Sequence, residues 1–343
     1  MLYKLRKRDA TVPQVFRENV ERHPDKVAIY FEDEVWTFRQ LDEYSNRIAN
    51  LFMEAGYAKG DEIALFMETR PEYVGVWLGA AKAGLVTALI NTNLRSDTLI
   101  HSITCVDSRS LIYGLELAPF AEEILPTLAA KRPSLEYFVF DDQPRSVQGL
   151  TVKPLRKLTS EVSPDLPVSK MRGCFTDKLF YVYTSGTTGL PKAAIIKHCR
   201  YFFFGAGCNK LVGLGHNQTI YTSIPLYHLA GGAIGTCQML VFGNTLAIRA
   251  KFSASRFWTD CVKYNATAAQ YIGEICRYVL TQPESQNDRN HQVKICFGNG
   301  MRPNIWREFK ERFNIERICE FYGATEGNAN VGKCEVSQTV ICV

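Results

Sequence analysis

The chain has 343 residues, 46% hydrophobic and 12% aromatic, a composition that fits a packed globular protein and excludes a disordered one. Its net charge of +5 gives no nucleic-acid footprint and suits anionic small molecules or an anionic membrane surface. Eleven cysteines, from Cys105 to Cys342, include no C-x-x-C pair, which argues against a metal cluster or disulfide framework and for buried free thiols.

The chain opens on Lys4, Arg6, Lys7 and Arg8 with no apolar stretch behind them, so no signal peptide is expected. That cluster is either a contact for anionic lipid or a solvated tail. Thr37 and Gln40 form a capping box before Leu41, Tyr44, Ile48, Leu51, Phe52 and Ala55, which recur at helical spacing until Gly56 stops the helix. A strand over 62–67, a helix from Glu72, a strand from Leu85, a helix over 96–106 and a strand over 110–113 follow, then a helix around 120–130 and a strand over 137–140. Repeated β-α units of this length predict a largely parallel sheet flanked by helices. The apolar run 73–90 holds a single charge, Lys82, but Gly84 divides it into a helical half and a β-rich half, which reads as a buried helix-to-strand passage and not a membrane span. Residues 141–177 carry prolines at 144, 154, 164 and 167 and read as a linker, giving a first α/β sublobe over 1–170 and a second over 171–343.

Between a strand at 179–182 and another at 193–196 stands Tyr183-Thr184-Ser185-Gly186-Thr187-Thr188-Gly189-Leu190-Pro191-Lys192. Its two glycines let the backbone approach a ligand, its four hydroxyls and its N–H groups suit oxyanions, and Lys192 adds a mobile charge. It is not a Walker A loop, because the glycines are three apart and Ala193 follows the lysine. A polar turn is one reading and a polyphosphate cradle the other. Eight of the ten residues are hydroxylic, glycine, proline or lysine, more permissive backbone than a solvated turn needs, and this favours the cradle.

Tyr201-Phe202-Phe203-Phe204 sits on a predicted helix, as core or as the lining of an apolar tunnel. A strand ending at Pro225 is followed by Tyr227-His228 and by Gly231-Gly232 opening an apolar helix; by residue type alone His228 is more often structural than functional. Two strands then run into glycine turns, Gly298-Asn299-Gly300 before a helix over 305–313, and Tyr322-Gly323-Ala324-Thr325-Glu326-Gly327. Both place small and polar groups at strand carboxyl ends, where open α/β sheets bind ligands.

Thr184 to Lys192 resembles the AMP-binding signature of the adenylate-forming superfamily, and the two glycine turns follow it in that superfamily's order. Within it the chain most resembles the fatty acid transport protein, or very long-chain acyl-CoA synthetase, branch. The resemblance implies an α/β fold, the N-terminal lobe of the adenylate-forming enzymes with largely parallel sheets, incomplete at the C-terminus. It implies a fatty acid-CoA ligase that joins a long-chain or very long-chain fatty acid to AMP from ATP, then passes the acyl group to coenzyme A, coupled to fatty acid uptake. In that analogy Thr184, Ser185, Gly186, Thr187, Thr188, Gly189 and Lys192 hold the phosphates. Tyr322 stacks on adenine, Gly298, Asn299 and Gly300 pass along its edge, and Thr325 bonds the α-phosphate. Glu326 holds Mg²⁺, while Tyr227, His228 and Gly323 close over the carboxylate. Lys192, Thr325, Glu326 and His228 are the catalytic set.

The superfamily pattern continues beyond Gly327 with a ribose-binding aspartate, a hinge and a small domain carrying a lysine, none of which follows here. The branch's N-terminal membrane segment does not precede Met1 either. A truncated form that turns over poorly alone is therefore expected. Membrane association on a cytosolic face is implied, at the endoplasmic reticulum, plasma membrane or peroxisome, with contacts to full-length family members. The alternatives are a non-catalytic fragment that binds nucleotide or fatty acid and assists transport, and adenylation of an aryl or amino acid.

Overall fold

The computed structural model describes residues 1–165, 173–184, 189–325, 327, 331–334 and 337–342. In chain order its strands are β1 Val27–Phe31, β2 Glu34–Thr37, β3 Glu62–Phe66, β4 Val86–Leu89, β5 Ser108–Gly114, β6 Glu136–Phe140, β7 Arg145–Val147 and β8 Leu150–Pro154, then β9 Lys178–Thr184 and β10 Lys192–Lys197. They continue with β11 Thr219–Thr222, β12 Thr245–Ile248, β13 Ala268–Ile272, β14 Ile295–Asn299, β15 Arg317–Tyr322, β16 Val331–Cys334 and β17 Ser337–Cys342. They form two sheets, each in its own compact unit.

The eight-stranded unit, residues 2–20 and 39–200, orders its sheet β10-β9-β4-β3-β5-β6-β8-β7. The strands from β9 to β8 run parallel, and only the edge strands β10 and β7 are antiparallel to their neighbours. Parallel strands need crossovers that cover their faces. Helices Ser96–Thr104 and Ala118–Lys131 do this, packing Leu99, Ile103, Ile124 and Leu125 against Phe66, Ile90, Leu111, Tyr113 and Val139. The run 73–90 is the buried helix-to-strand passage its glycine suggests: helix Pro71–Lys82 ends at Gly84, whose φ of +78° only glycine adopts without strain, and β4 follows. No helix among the described residues is long and apolar enough to cross a membrane.

The expected linker is largely structured. β7 and β8 form a hairpin on the sheet edge, joined through Gln148 (φ 49°) and Gly149 (φ 83°), the left-handed pair of a type I′ turn. Helix Leu155–Glu161 follows, with Val152 and Leu155 fully buried, while 166–172 lie outside the described residues. The expected break at 170 falls inside the span 39–200 of this unit.

The nine-stranded unit, residues 21–38 and 201–343 with Met1, orders its sheet β17-β16-β15-β14-β13-β11-β12-β1-β2. From β15 to β1 the strands are parallel; β2, β16 and β17 are antiparallel additions at the edges. Its core sets Tyr221, Ala269, Cys296 and Ile318 against Trp258, Phe309 and Phe313. Tyr201, Phe202 and Phe204 are buried, and Phe203 half-buried. Cys208, Cys237, Cys261, Cys276 and Cys296 are buried free thiols as expected; Cys105 is free but exposed, Cys174 and Cys199 are free and half-buried, and Cys319 is disulfide-bonded, contrary to that reading.

Just after β10, buried His198 accepts a hydrogen bond at Nδ1 from the Val12 N–H at 3.1 Å. Burial lowers its pKa from 6.5 to about 4, against a weaker upward pull from Asp177. The folded state thus disfavours the protonated ring. Stability from this group is full above pH 6.5 and is lost as the pH falls from 6.5 toward 4. That loss is about 3 kcal/mol at its limit. Unfolding free energies of wild type and His198→Asn across this range should diverge by that order, the variant being the flatter; parallel profiles would contradict the assignment.

Candidate nucleotide and carboxylate site

Strands β15, β14, β13 and β11 are adjacent and parallel, so the segments after them emerge along one edge of the nine-stranded sheet. At that edge β14 runs through Gly298 and Asn299 into Gly300, whose φ is +81°. Gly298 is tightly enclosed, since a Cβ there would stand 2.0 Å from the Tyr271 carbonyl oxygen. The turn is held from β15. The Glu320 carboxylate accepts the Gly300 N–H at 3.0 Å, the Met301 N–H at 2.9 Å and the Tyr271 hydroxyl at 2.8 Å. Burial, then the charge of Glu320, push the Tyr271 phenol far above its usual pKa, so it donates as a neutral hydroxyl. Two residues beyond Glu320, on the same strand face, Tyr322 leaves an aromatic ring 75% exposed. Gly323 and Thr325 follow, and the Gly327 N–H closes a tight turn on the Ala324 carbonyl at 2.9 Å.

After β11, Tyr227 is buried and His228 exposed, their rings 4.5 Å apart. The His228 N–H bonds the Pro225 carbonyl at 3.1 Å. Desolvation by surrounding protein atoms lowers the His228 pKa despite its solvent-facing edge, so the ring is neutral near neutral pH. The glycines that follow open the expected apolar helix, which begins as a π-helix, Ala230–Gly235, and continues as α over Thr236–Leu240. The chain passes so close to itself here that a Cβ on Gly231 would lie 2.7 Å from the carbonyl oxygens of Ile224 and Pro225. Side chains bond the π-helix carbonyls: Gln270 Nε2 to Ala230 at 2.7 Å, Thr236 Oγ1 to Gly232 at 2.6 Å and Gln238 Nε2 to Ile234 at 3.2 Å. Such π segments recur at functional sites.

The glycine- and threonine-rich loop belongs to the eight-stranded unit. Thr184 ends β9 and Lys192 begins β10, and the two residues are directly paired across the antiparallel ladder. Lys192 is exposed where β10 begins. Gly189 has φ +90° and nothing within 4 Å of where a Cβ would point, an open position kept for conformation. Leu190 is 45% exposed.

One sheet edge thus brings together Tyr227, His228, Gly298, Asn299, Gly300, Tyr322, Gly323 and Thr325; Thr184, Gly189 and Lys192 stand in the other unit. Ser185, Gly186, Thr187, Thr188 and Glu326 lie outside the described residues. Among the described residues no group of three His, Cys, Asp or Glu side chains is disposed to hold a metal ion. Glu320, Tyr271 and Gln270 escaped the sequence reading because only the pairing of β13, β14 and β15 and the packing beside β13 give them partners.

A doubly flanked parallel sheet with glycine turns, an open tyrosine and a half-desolvated histidine at its carboxyl edge is the framework of an α/β ligand-binding protein. Residues 16–339 match the model of the AMP-binding enzyme family, and the chain belongs to that family. It is 44% identical over 330 residues to long-chain fatty acid transport protein 1 of Homo sapiens, covering 95% of this chain and 50% of that protein. It is 35% identical over 324 residues to the medium/long-chain-fatty-acid–CoA ligase FadD6 of Mycobacterium tuberculosis, covering 93% and 51%. The chain spans about half the length of the curated relatives it matches. Among solved structures it superposes on the anthranilate CoA ligase AuaEII in complex with anthranoyl-AMP with a TM-score of 0.83 at 20% identity, covering 92% of this chain and 60% of that one. The inhibitor-bound N-terminal domain of FACL13 from Mycobacterium tuberculosis gives 0.78 at 22% identity, covering 93% and 78%. Those likenesses establish the fold, two largely parallel sheets flanked by helices.

Proposed function

We propose that the chain supplies the nucleotide- and acyl-binding lobe of a long-chain fatty acid–CoA ligase. What supports this is the gathering of Gly298–Gly300, Tyr322–Thr325 and Tyr227–His228 on one sheet edge in a chain 44% identical to a fatty acid transport protein. In the first step a carboxylate oxygen attacks the α-phosphorus of ATP and the bond to the bridging oxygen breaks, releasing pyrophosphate. In the second the coenzyme A thiol adds to the acyl carbon and AMP leaves with the C–O bond, the thiol proton passing to solvent. Such transfers call for positioning and charge neutralisation more than covalent help.

Thr184, Ser185, Gly186, Thr187, Thr188 and Gly189 offer hydroxyl and N–H donors to the phosphates, and Lys192 a point charge. The exposed Tyr322 ring offers a stacking face for adenine, the rigid Gly298–Gly300 turn lies along its edge, and Thr325 donates to the α-phosphate. A neutral His228 beside Tyr227 donates to the carboxylate without trapping it as a salt, and Gly323 leaves the carboxylate room. Mg²⁺ is bound mainly through substrate phosphates and water, so the lone carboxylate of Glu326 suits it without an all-protein cluster, and the ion would neutralise phosphate charge. The exposed Lys4, Arg6 and Lys7 of helix Leu2–Lys7 suit an anionic lipid surface on a cytosolic membrane face, where full-length family members would be neighbours.

Equilibrium titration with ATP tests the binding half of this reading. Lys192→Ala should weaken ATP by about 30-fold, the loss of one charge-assisted contact. Long-chain fatty acids, and not aryl acids, should compete for the carboxylate subsite. Equal ATP affinity in the variant would refute the role of Lys192, and displacement by aryl acids alone would favour adenylation of a different acid.

A further inference from the structure

Tyr183 and Pro191, on the two arms of the β9–β10 hairpin, are each held from outside it. Helix Ser96–Thr104 lies against it through two consecutive residues. On the entering arm, the Tyr183 hydroxyl donates to the Ser102 carbonyl. On the leaving arm, His101 Nε2 lies 3.0 Å from the Pro191 carbonyl oxygen. That carbonyl can only accept, so Nε2 carries the proton and donates. The helix end is itself firm: Ser102 is fully buried, its hydroxyl bonded to the Thr98 carbonyl at 2.9 Å, and Leu99, Ile100 and Ile103 sit in the sheet core. Tyr183 and Ala193, one on each arm, pack on that same core.

We propose that His101 is a positioning residue for the polyphosphate: by holding the Pro191 carbonyl it fixes the Pro191–Lys192 peptide plane, and with Tyr183 bound to Ser102 it sets the spacing of the two arms. Proline fixes φ at 191 and the hydrogen bond fixes the carbonyl direction, so the backbone leaving the loop at Lys192 has one orientation. His101 touches no substrate atom. This role rests on the nucleotide reading above, since Pro191 and Lys192 end the segment assigned to the phosphates.

The test uses the full chain and two probes, inorganic tripolyphosphate and AMP, titrated into wild type, His101→Phe and His101→Gln. Phenylalanine keeps the shape and removes the donor; glutamine restores a donor near Nε2. His101→Phe should weaken tripolyphosphate by about tenfold, the worth of one positioned hydrogen bond, while AMP affinity stays within about twofold. His101→Gln should recover most of the loss. Wild-type binding that His101→Phe leaves unchanged overturns the positioning role alone, and equal weakening of both probes assigns His101 a merely structural part. If wild type binds neither probe, the nucleotide reading falls and this inference with it.

Discussion

Gly298→Ala is expected to destabilise the protein by about 3 kcal/mol or more and to abolish nucleotide binding, because the new methyl group meets backbone most closely, where nothing can swing away. Its Cβ would lie 2.0 Å from the Tyr271 carbonyl oxygen and 2.8 Å from that carbonyl carbon. Neither strand can retreat. β13 is hydrogen-bonded between β11 and β14, and β14 between β13 and β15. Any shift of β14 also pulls the Gly300 and Met301 N–H groups off Glu320. Gly300→Ala is the internal control. That position has φ +81° but nothing nearer than 3.9 Å to a Cβ, so the cost is backbone strain of about 1 kcal/mol. Denaturant unfolding of both variants separates crowding from strain. Equal, small losses would show that the turn is looser than these contacts imply.

Lys82→Met is the second large effect. The Lys82 ammonium is fully buried, with Asp42 Oδ1 and Ser45 Oγ each at 2.7 Å, Asn46 Oδ1 at 2.6 Å and the Asp42 carbonyl at 3.2 Å. Asp42, Ser45 and Asn46 share one face of helix Phe38–Glu54. That helix comes close to Pro71–Lys82 because glycines face it: a Cβ on Gly79 would be 2.4 Å from the Ser45 carbonyl oxygen. Burial pulls the Lys82 pKa down to about 8 against the upward pull of Asp42, so the side chain is still charged at neutral pH. Removing it leaves the Asp42 carboxylate with Arg17 at 3.6 Å and the Asn46 amide at 3.3 Å, and takes the ammonium away from Asn46 Oδ1 and Ser45 Oγ. A loss of about 3 kcal/mol is expected, since breaking one half of a buried pair exposes the cost of the other. The double variant Lys82→Met, Asp42→Asn should lose less than the two single changes summed. A loss under about 1 kcal/mol for Lys82→Met would mean that Asp42 finds another partner.

Much of this architecture is legible in the sequence, where one physical signal decides. Apolar periodicity marks the β-α units from 38 to 140, and Gly56 and Gly84 mark helix ends because their φ values are +78° each. The hairpin from β9 to β10 follows from two apolar runs about a glycine loop. What stays hidden depends on partners distant in the chain. Lys82 reads as a lone charge in an apolar run, and nothing local says that Asp42, Ser45 and Asn46 wait for it. Residues 27–37 look like the start of the first sublobe, yet β1 pairs with β12, register Ile29 to Leu246. The hairpin at 145–154 reads as linker because its strands are short and its proline sits at the last position of β8. At the candidate site, the residue types at 298–300 and 322–325 reveal the turns, but the carboxylate that holds one of them is 20 residues away, at Glu320.

These residues are proposed to serve the adenylation of a fatty acid. The most direct measurement is pyrophosphate release from ATP and Mg²⁺ by the purified chain, with and without a long-chain fatty acid, alongside Lys192→Ala and Glu326→Ala. Slow release that requires the fatty acid and that both substitutions abolish is the predicted result. Release indifferent to the fatty acid or untouched by either substitution, or no release while ATP still binds, would contradict it, the last pointing to a binding fragment.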